Sequence, residues 1–218
     1  MKKTLLLACL LSLCNLALFS QTRNLPRALH TAETSAILVS PPQEAPASLK
    51  KIYSNLGSIK TDLYNDHAGS EISGPNSGSV ELSFALPFTP KSNSHVSQVQ
   101  VSVQHAGGAN QVNLSIYGDA DGVPGTLLAG PIAITNLATT GTCCALAVAN
   151  FSPVAVTGGS QYWVVADTPS KGTGSDFFGE WEWVAKPVYP QAFSDGFGWF
   201  ASTSGPTEVA GEVLGTIP

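Results

Sequence analysis

Arginine is missing from this chain beyond Arg27, so residues 51–218 contain none at all. That stretch holds five lysines (51, 60, 91, 171 and 186) against thirteen Asp and Glu, a net charge of 5 − 13 = −8. Without guanidinium forks or a basic stripe it cannot neutralise a run of phosphates, which excludes nucleic acid and anionic lipid as partners. Long apolar runs are also lacking. A membrane helix needs roughly 20 apolar residues, whereas the run from Thr4 to Leu13 soon meets Asn15 and Ser20, and the stretch 211–218 is short and mixed. No membrane insertion is expected once the leader is removed. Catalytic signatures are missing as well. There is no Gly-x-Ser-x-Gly elbow, and His67, His95 and His105 have no partner spacing that selects one as a base. Only Cys143 and Cys144 lie beyond the first twenty residues, without a nearby Cys or His pair to complete four zinc ligands. No metal or cofactor is expected.

Lys2 and Lys3 precede the apolar run, and Leu18, Phe19 and Ser20 lead to Gln21. This is the pattern of a secretory signal over residues 1–20. The segment Leu6-Leu7-Ala8-Cys9 matches a lipoprotein box, but modification at Cys9 would leave an h-region of about five residues against the usual 7 to 15. Cleavage near Gln21 is therefore the expectation, and the mature protein works outside the cytoplasm. Residues 21–50 place Pro26, Pro41, Pro42 and Pro46 among Ala, Ser, Thr and Gln. Such a stretch buries too little apolar surface to offset its ordering entropy, and it reads as a linker. Residues 51–218 form one domain.

Within that domain the apolar residues alternate. Val80, Leu82, Phe84 and Leu86, then Val99, Val101 and Val103, then Val112, Leu114 and Ile116 each recur at every second position. Period two predicts half-buried strands. Residues 132–137, 145–149, 154–157, 162–166, 177–185 and 209–217 continue the series, divided by Gly107-Gly108, Gly141, Gly158-Gly159 and Gly172. No window has a helical period. The fold class is all-β: an antiparallel, jelly-roll-like β-sandwich of roughly nine or ten strands.

Several segments together carry a family resemblance. They are Ile52-Tyr53-Ser54-Asn55-Leu56-Gly57, the stretch 115–128 reading SIYGDADGVPGTLL, Gly141-Thr142-Cys143-Cys144, and Val156-Thr157-Gly158-Gly159-Ser160-Gln161-Tyr162-Trp163. On these the chain resembles the bacterial secreted proteins of the choice-of-anchor R type. The resemblance implies one β-rich extracellular domain, carried in that group before various C-terminal sorting or anchor signals, and it brings no catalytic residue. The sequence reaches Pro218 without such a signal, so release from the cell is the expectation.

Three constellations could carry chemistry. Asp119-Ala120-Asp121-Gly122 matches the opening of a calcium loop, but Val123 and Gly130 stand where further oxygen ligands are needed. The simpler reading is a tight turn, with Asp bonding its own backbone, Gly122 at positive φ and Pro124 fixing the exit. Cys143 and Cys144, as exported thiols, are expected to pair as a vicinal disulfide, although adjacent Cα atoms lie about 3.8 Å apart across a trans peptide, below the usual range. Such a bridge would be a locked turn or an apolar plate beside a ligand.

The third constellation is aromatic. All four tryptophans lie beyond residue 160, and Trp181 and Trp183 are two apart in Glu180-Trp181-Glu182-Trp183. In a strand both rings face one side and both carboxylates the other. Trp163, between Tyr162 and Val164, is assigned to the core. The Trp181/Trp183 pair is either core or a sugar platform, which Trp199 with Phe197 and Phe200 would extend. Glu180 and Glu182 project side by side on a solvated strand face, a poor arrangement for carboxyls that must flank a glycosidic bond. The chain is thus expected to be a secreted, non-catalytic module that binds or displays, with an extracellular glycan or other surface polymer as partner. A small secreted glycan hydrolase and a structural coat component are the alternatives.

Overall fold

The computed structural model describes residues 48–57, 63–169, 175–184, 191–202 and 208–218; residues 1–20, expected to be a signal, and nearly all of the expected linker at 21–50 lie outside them. The described residues form thirteen strands. In chain order they are β1 Lys50–Ser54, β2 Asn65–Ser73, β3 Ser83–Phe88, β4 Ser94–Val101, β5 Val103–Gly107, β6 Gln111–Ala120, β7 Val123–Thr135, β8 Ala147–Val156, β9 Tyr162–Asp167, β10 Phe178–Trp183, β11 Gln191–Ser194, β12 Trp199–Ser202 and β13 Gly211–Thr216. They form a four-stranded sheet β1-β13-β4-β8, a three-stranded sheet β2-β10-β5 and a six-stranded sheet β12-β11-β3-β9-β6-β7. Every ladder is antiparallel. No described residue is helical.

Alternation builds the core. Phe84, Leu86, Phe88, Val112, Leu114, Ile116, Val164 and Ala166 come from the six-stranded sheet, and Val96, Val99, Val101, Ala149 and Val213 from the four-stranded one. All are buried in a single cluster, to which the three-stranded sheet adds Ile72, Val103 and Trp181. The intervening residues point away from this cluster. Packing of two inner faces in this manner is the defining feature of a β-sandwich.

The extra strands have local causes. The run 98–104 reads as one strand, but it changes sheet at Ser102. Its Oγ donates to the carbonyls of Glu182 and Ala210 at 3.1 Å each, and its backbone pairs with both residues. The four- and three-stranded sheets thereby form one bent layer. Conversely, the predicted pieces 145–149 and 154–157 are one ten-residue strand, β8, whose ladder to β4 shifts register between Val96 and Gln98. Strand β3 starts at Ser83 because Val80 is turned out, 62% exposed, and Leu82 makes only an isolated bridge to Ser73. Strands β2, β11 and β12 give no sustained apolar alternation: β2 is mostly polar, and β11 and β12 are only four residues long.

Candidate functional site

The tryptophan pair is divided. Trp181 lies on the central strand of the three-stranded sheet, pairs with Ser70 and Val103, and is 0% exposed. Its indole N–H donates to the carbonyl of Ala210 at 2.8 Å. Trp183 is half-buried against the core and donates to Ser70 Oγ at 2.9 Å. An open Trp181/Trp183 platform is therefore excluded: the side both rings share is the inner face of the sandwich.

The opposite face is closed too, contrary to the expected solvated strand face. Glu180 pairs with Glu71 and Gln104, Glu182 pairs with Gly69, and both glutamates are fully buried. Above them the segment at Tyr64 meets the turn at Thr142. Gln104 Nε2 donates to Tyr64 Oη at 3.0 Å and to the carbonyl of Thr142 at 2.7 Å. The Tyr64 hydroxyl lies 3.1 Å from the carbonyls of Thr142 and Ala145. Burial, then the neighbouring Glu180 and Asp66, push the Glu182 carboxyl up to about 9. No described residue donates a hydrogen bond to its oxygens. A carboxyl this well covered can tune stability, but it cannot meet a substrate.

Cys143 and Cys144 form a vicinal disulfide in the same cover, packed with Tyr64, Val184 and Ala210. The peptide joining them is cis and their Cα atoms are 3.0 Å apart, unlike the trans spacing used in the sequence argument. Asp121 and Gly122 form a two-residue hairpin loop at φ 54° and 85°, the positive values that such a turn demands. Asp119 Oδ2 accepts from the Gly122 N–H at 3.2 Å. Its Oδ1 accepts from Trp163 Nε1 at 2.7 Å and from Gln161 Nε2 at 2.8 Å. The acidic motif thus ties a hairpin to a tryptophan.

That tryptophan belongs to a second aromatic surface. Trp163 is buried, yet it points away from the main core and lies on the outer face of the six-stranded sheet with Ala85, Val165 and Ala192. Tyr117 and Trp199 pack against this cluster from either side and remain half-exposed. Beside it the register assembles a cross-strand row. Trp199 opposes Ser194, Ser194 opposes Ser83, and Asp167 opposes Asn113. Because Phe84 pairs with Ala166, the next antiparallel step sets Ser83 against Asp167 and closes the row. All five members are half-buried, and Ala133, opposite Asn113 on the edge strand β7, is exposed.

The row is acidic and rimmed by an aromatic. Burial raises the Asp167 carboxyl to about 6, with Glu81 pushing the same way and a hydrogen bond from Asn113 opposing both. Glu81 also lies against the β11–β12 turn, where a Cβ on Gly196 would come within 3.1 Å of its Oε2; the φ of +83° there also favours glycine. Phe197, next in that turn, is 94% exposed. Of the residues singled out in the sequence, only Trp199 belongs to this site. Asp167, Asn113, Ser83, Ser194 and Glu81 carried no signal, because their proximity exists only in the strand register. No protein-family model, curated protein or solved structure matches the chain.

Proposed function

We propose that this protein is a secreted, non-catalytic β-sandwich module that binds an uncharged extracellular glycan on the outer face of its six-stranded sheet. The observation that carries the reading is the half-buried row of Trp199, Ser194, Ser83, Asp167 and Asn113 on the face turned away from the main core. An indole offers a flat apolar surface to the C–H face of a sugar ring, while hydroxyl, carboxylate and amide groups exchange hydrogen bonds with its hydroxyls. The arginine-free domain, with its net charge of 5 − 13 = −8, favours neutral over acidic polymers. The leader-like residues 1–20 and the resemblance to choice-of-anchor R proteins support an extracellular setting.

Affinity electrophoresis through neutral polysaccharides tests the reading. Retardation of the wild type should be lost in Trp199→Ala, with an unfolding temperature within a few degrees of the parent. Equal retardation of wild type, Trp199→Ala and Asp167→Ala would overturn the assignment of this face. A hydrolase is the second reading, favoured by one feature: burial raises the Asp167 carboxyl to about 6, with Glu81 adding to the rise, the direction a general acid needs. Release of new reducing ends by the wild type, abolished in Asp167→Asn, would decide for it.

A further inference from the structure

We infer that Cys143 is a thiol-exchange site at which a dithiol reductant unlatches the cover over Glu180 and Glu182. The tip of that cover converges on one hydroxyl. Tyr64 Oη lies 3.1 Å from the carbonyls of Thr142 and Ala145, the residues on either side of the disulfide, and it accepts from Gln104 Nε2 at 3.0 Å. The ring closed by Cys143 and Cys144 thus holds both carbonyls on Tyr64. The base of the turn is tied separately: the His105 N–H donates to the carbonyl of Ala138 at 2.8 Å, and the Thr140 N–H to the carbonyl of His105 at 3.0 Å. Loss of the disulfide leaves those bonds in place. Alternation along β10 puts Glu180, Glu182 and Val184 on one face, and Cys144 packs against that face with Tyr64 and Val184. Burial raises the Tyr64 hydroxyl well above its usual range and Glu182 adds to the rise, which sets the carboxyl close beneath the latch.

The two sulfurs differ in access. Cys143 is half-buried and Cys144 only 1% exposed, so an attacking thiolate meets Cys143 first. It bonds to Cys143 Sγ, the bond between the two cysteines breaks, and Cys144 leaves as a thiolate that takes a proton. The second thiol of the reductant then displaces Cys143. Two electrons and two protons have passed to the protein, and the reductant has become a disulfide. Two unbonded sulfurs need more room than a bonded pair, yet Tyr64, Val184, Ala210 and Leu146 pack closely around them. The turn gives way, and water reaches the carboxyls. The ionisable groups around Glu182 are Glu180 on its own strand, Asp66 and Glu71 on β2, Tyr64 before it, His105 on β5 and Glu208 before β13. All but His105 are acids, so they favour a proton on the covered carboxyl. That proton is released when water enters, and reduction is therefore favoured as pH rises, by up to about tenfold per pH unit.

Hydrogen exchange of the full chain, before and after treatment with dithiothreitol at pH 7, is the test. Peptides covering 138–146 and 63–66 should exchange roughly tenfold faster once Cys143 and Cys144 are reduced, while those of β6 and β9 keep their protection. Cys143→Ser combined with Cys144→Ser should exchange like the reduced wild type without any reductant. In mixtures of reduced and oxidised dithiothreitol, alkylation of the peptide carrying both cysteines gives the ratio of reduced to oxidised protein. Between pH 7 and pH 8 that ratio should rise at least roughly threefold more in the wild type than in Glu182→Gln. Exchange at 138–146 and 63–66 that reduction leaves unchanged would overturn the latch, as would a disulfide that reacts only after β6 and β9 have unfolded. An equal rise of the ratio in wild type and Glu182→Gln would overturn it as well, since the turn would then not seal that carboxyl.

Discussion

Replacement of Glu182 by glutamine should remove a pH dependence of stability that is built into the three-stranded sheet. Glu182 is fully buried beneath Tyr64, with Glu180 beside it and Asp66 nearby, and its carboxyl is raised from 4.5 to about 9. An acid whose folded-state pKa is raised keeps a proton that the unfolded chain has lost. Its contribution to stability is therefore most favourable below the unfolded pKa and declines as pH rises from about 4.5 to 9. One proton corresponds to about 1.4 kcal/mol per pH unit, so the wild type should lose ~2 kcal/mol more than Glu182→Gln between pH 7 and pH 8.5. For a domain of this size that is roughly 4–8 °C in Tm. Asp167, raised to about 6, has already ionised below this window. Any slope from Glu208, raised by its own burial, is common to both proteins and cancels in the difference. Thermal unfolding of the pair at three or four pH values is the assay. Parallel slopes, or a wild type that gains on the mutant as pH rises, would refute the reasoning that Glu182 is protonated in the folded state.

Truncation of the tryptophans should separate core from surface: Trp181→Ala should cost about 3–5 kcal/mol, while half-exposed Trp199→Ala should cost about 1 kcal/mol or less of stability in chemical denaturation. The reverse order would mean that the two faces of the sheets are misassigned. Asp119→Ala should cost about 1.5–3 kcal/mol, because the buried Trp163 N–H loses a charge-assisted partner. Excess calcium should leave the wild-type Tm unchanged, since the Asp119 oxygens already receive three N–H donors, and a rise with calcium that Asp121→Ala abolishes would contradict this.

The fold class was legible because the inward positions of the central strands are apolar and, in β4 and β6, mostly polar residues stand between them. Val112, Leu114 and Ile116 could hardly take any other arrangement. Strand number was less legible, since the count depends on features without a hydrophobic signature. Ser102 divides one alternating run between two sheets by hydrogen bonding, and Asn65–Ser73 pairs as a strand with scarcely an aliphatic residue. The Asp119 turn was readable because its chemistry is local, contained within four residues and the positive φ of Gly122.

The aromatic site was harder to read for a physical reason. Spacing of two places Trp181 and Trp183 on one side of a strand, but only the packing of the sheets decides whether that side is the interior. Trp163 makes the same point in reverse. Its neighbour Val164 enters the main core, so alternation alone forces Trp163 to the outer face, where Tyr117 stands opposite and Trp199 packs from β12. A tryptophan that is buried and yet outward-facing means that the sheet carries an apolar layer on its second side. Tyr117, Val123 and Trp199 cover that layer only in part, and the half-buried row from Trp199 to Asn113 runs beside it. The carboxylates divide in the same way. Glu180 and Glu182, two apart in sequence and conspicuous there, are sealed beneath Tyr64, whereas Asp167 and Glu81, eighty-six residues apart, converge at the half-buried margin. Acidic groups that share a short motif are held by the backbone wherever the strand goes. Those brought together from separate strands depend on the register of the whole sheet, so a slip of one residue in β9 would turn Asp167 inward and dissolve the site.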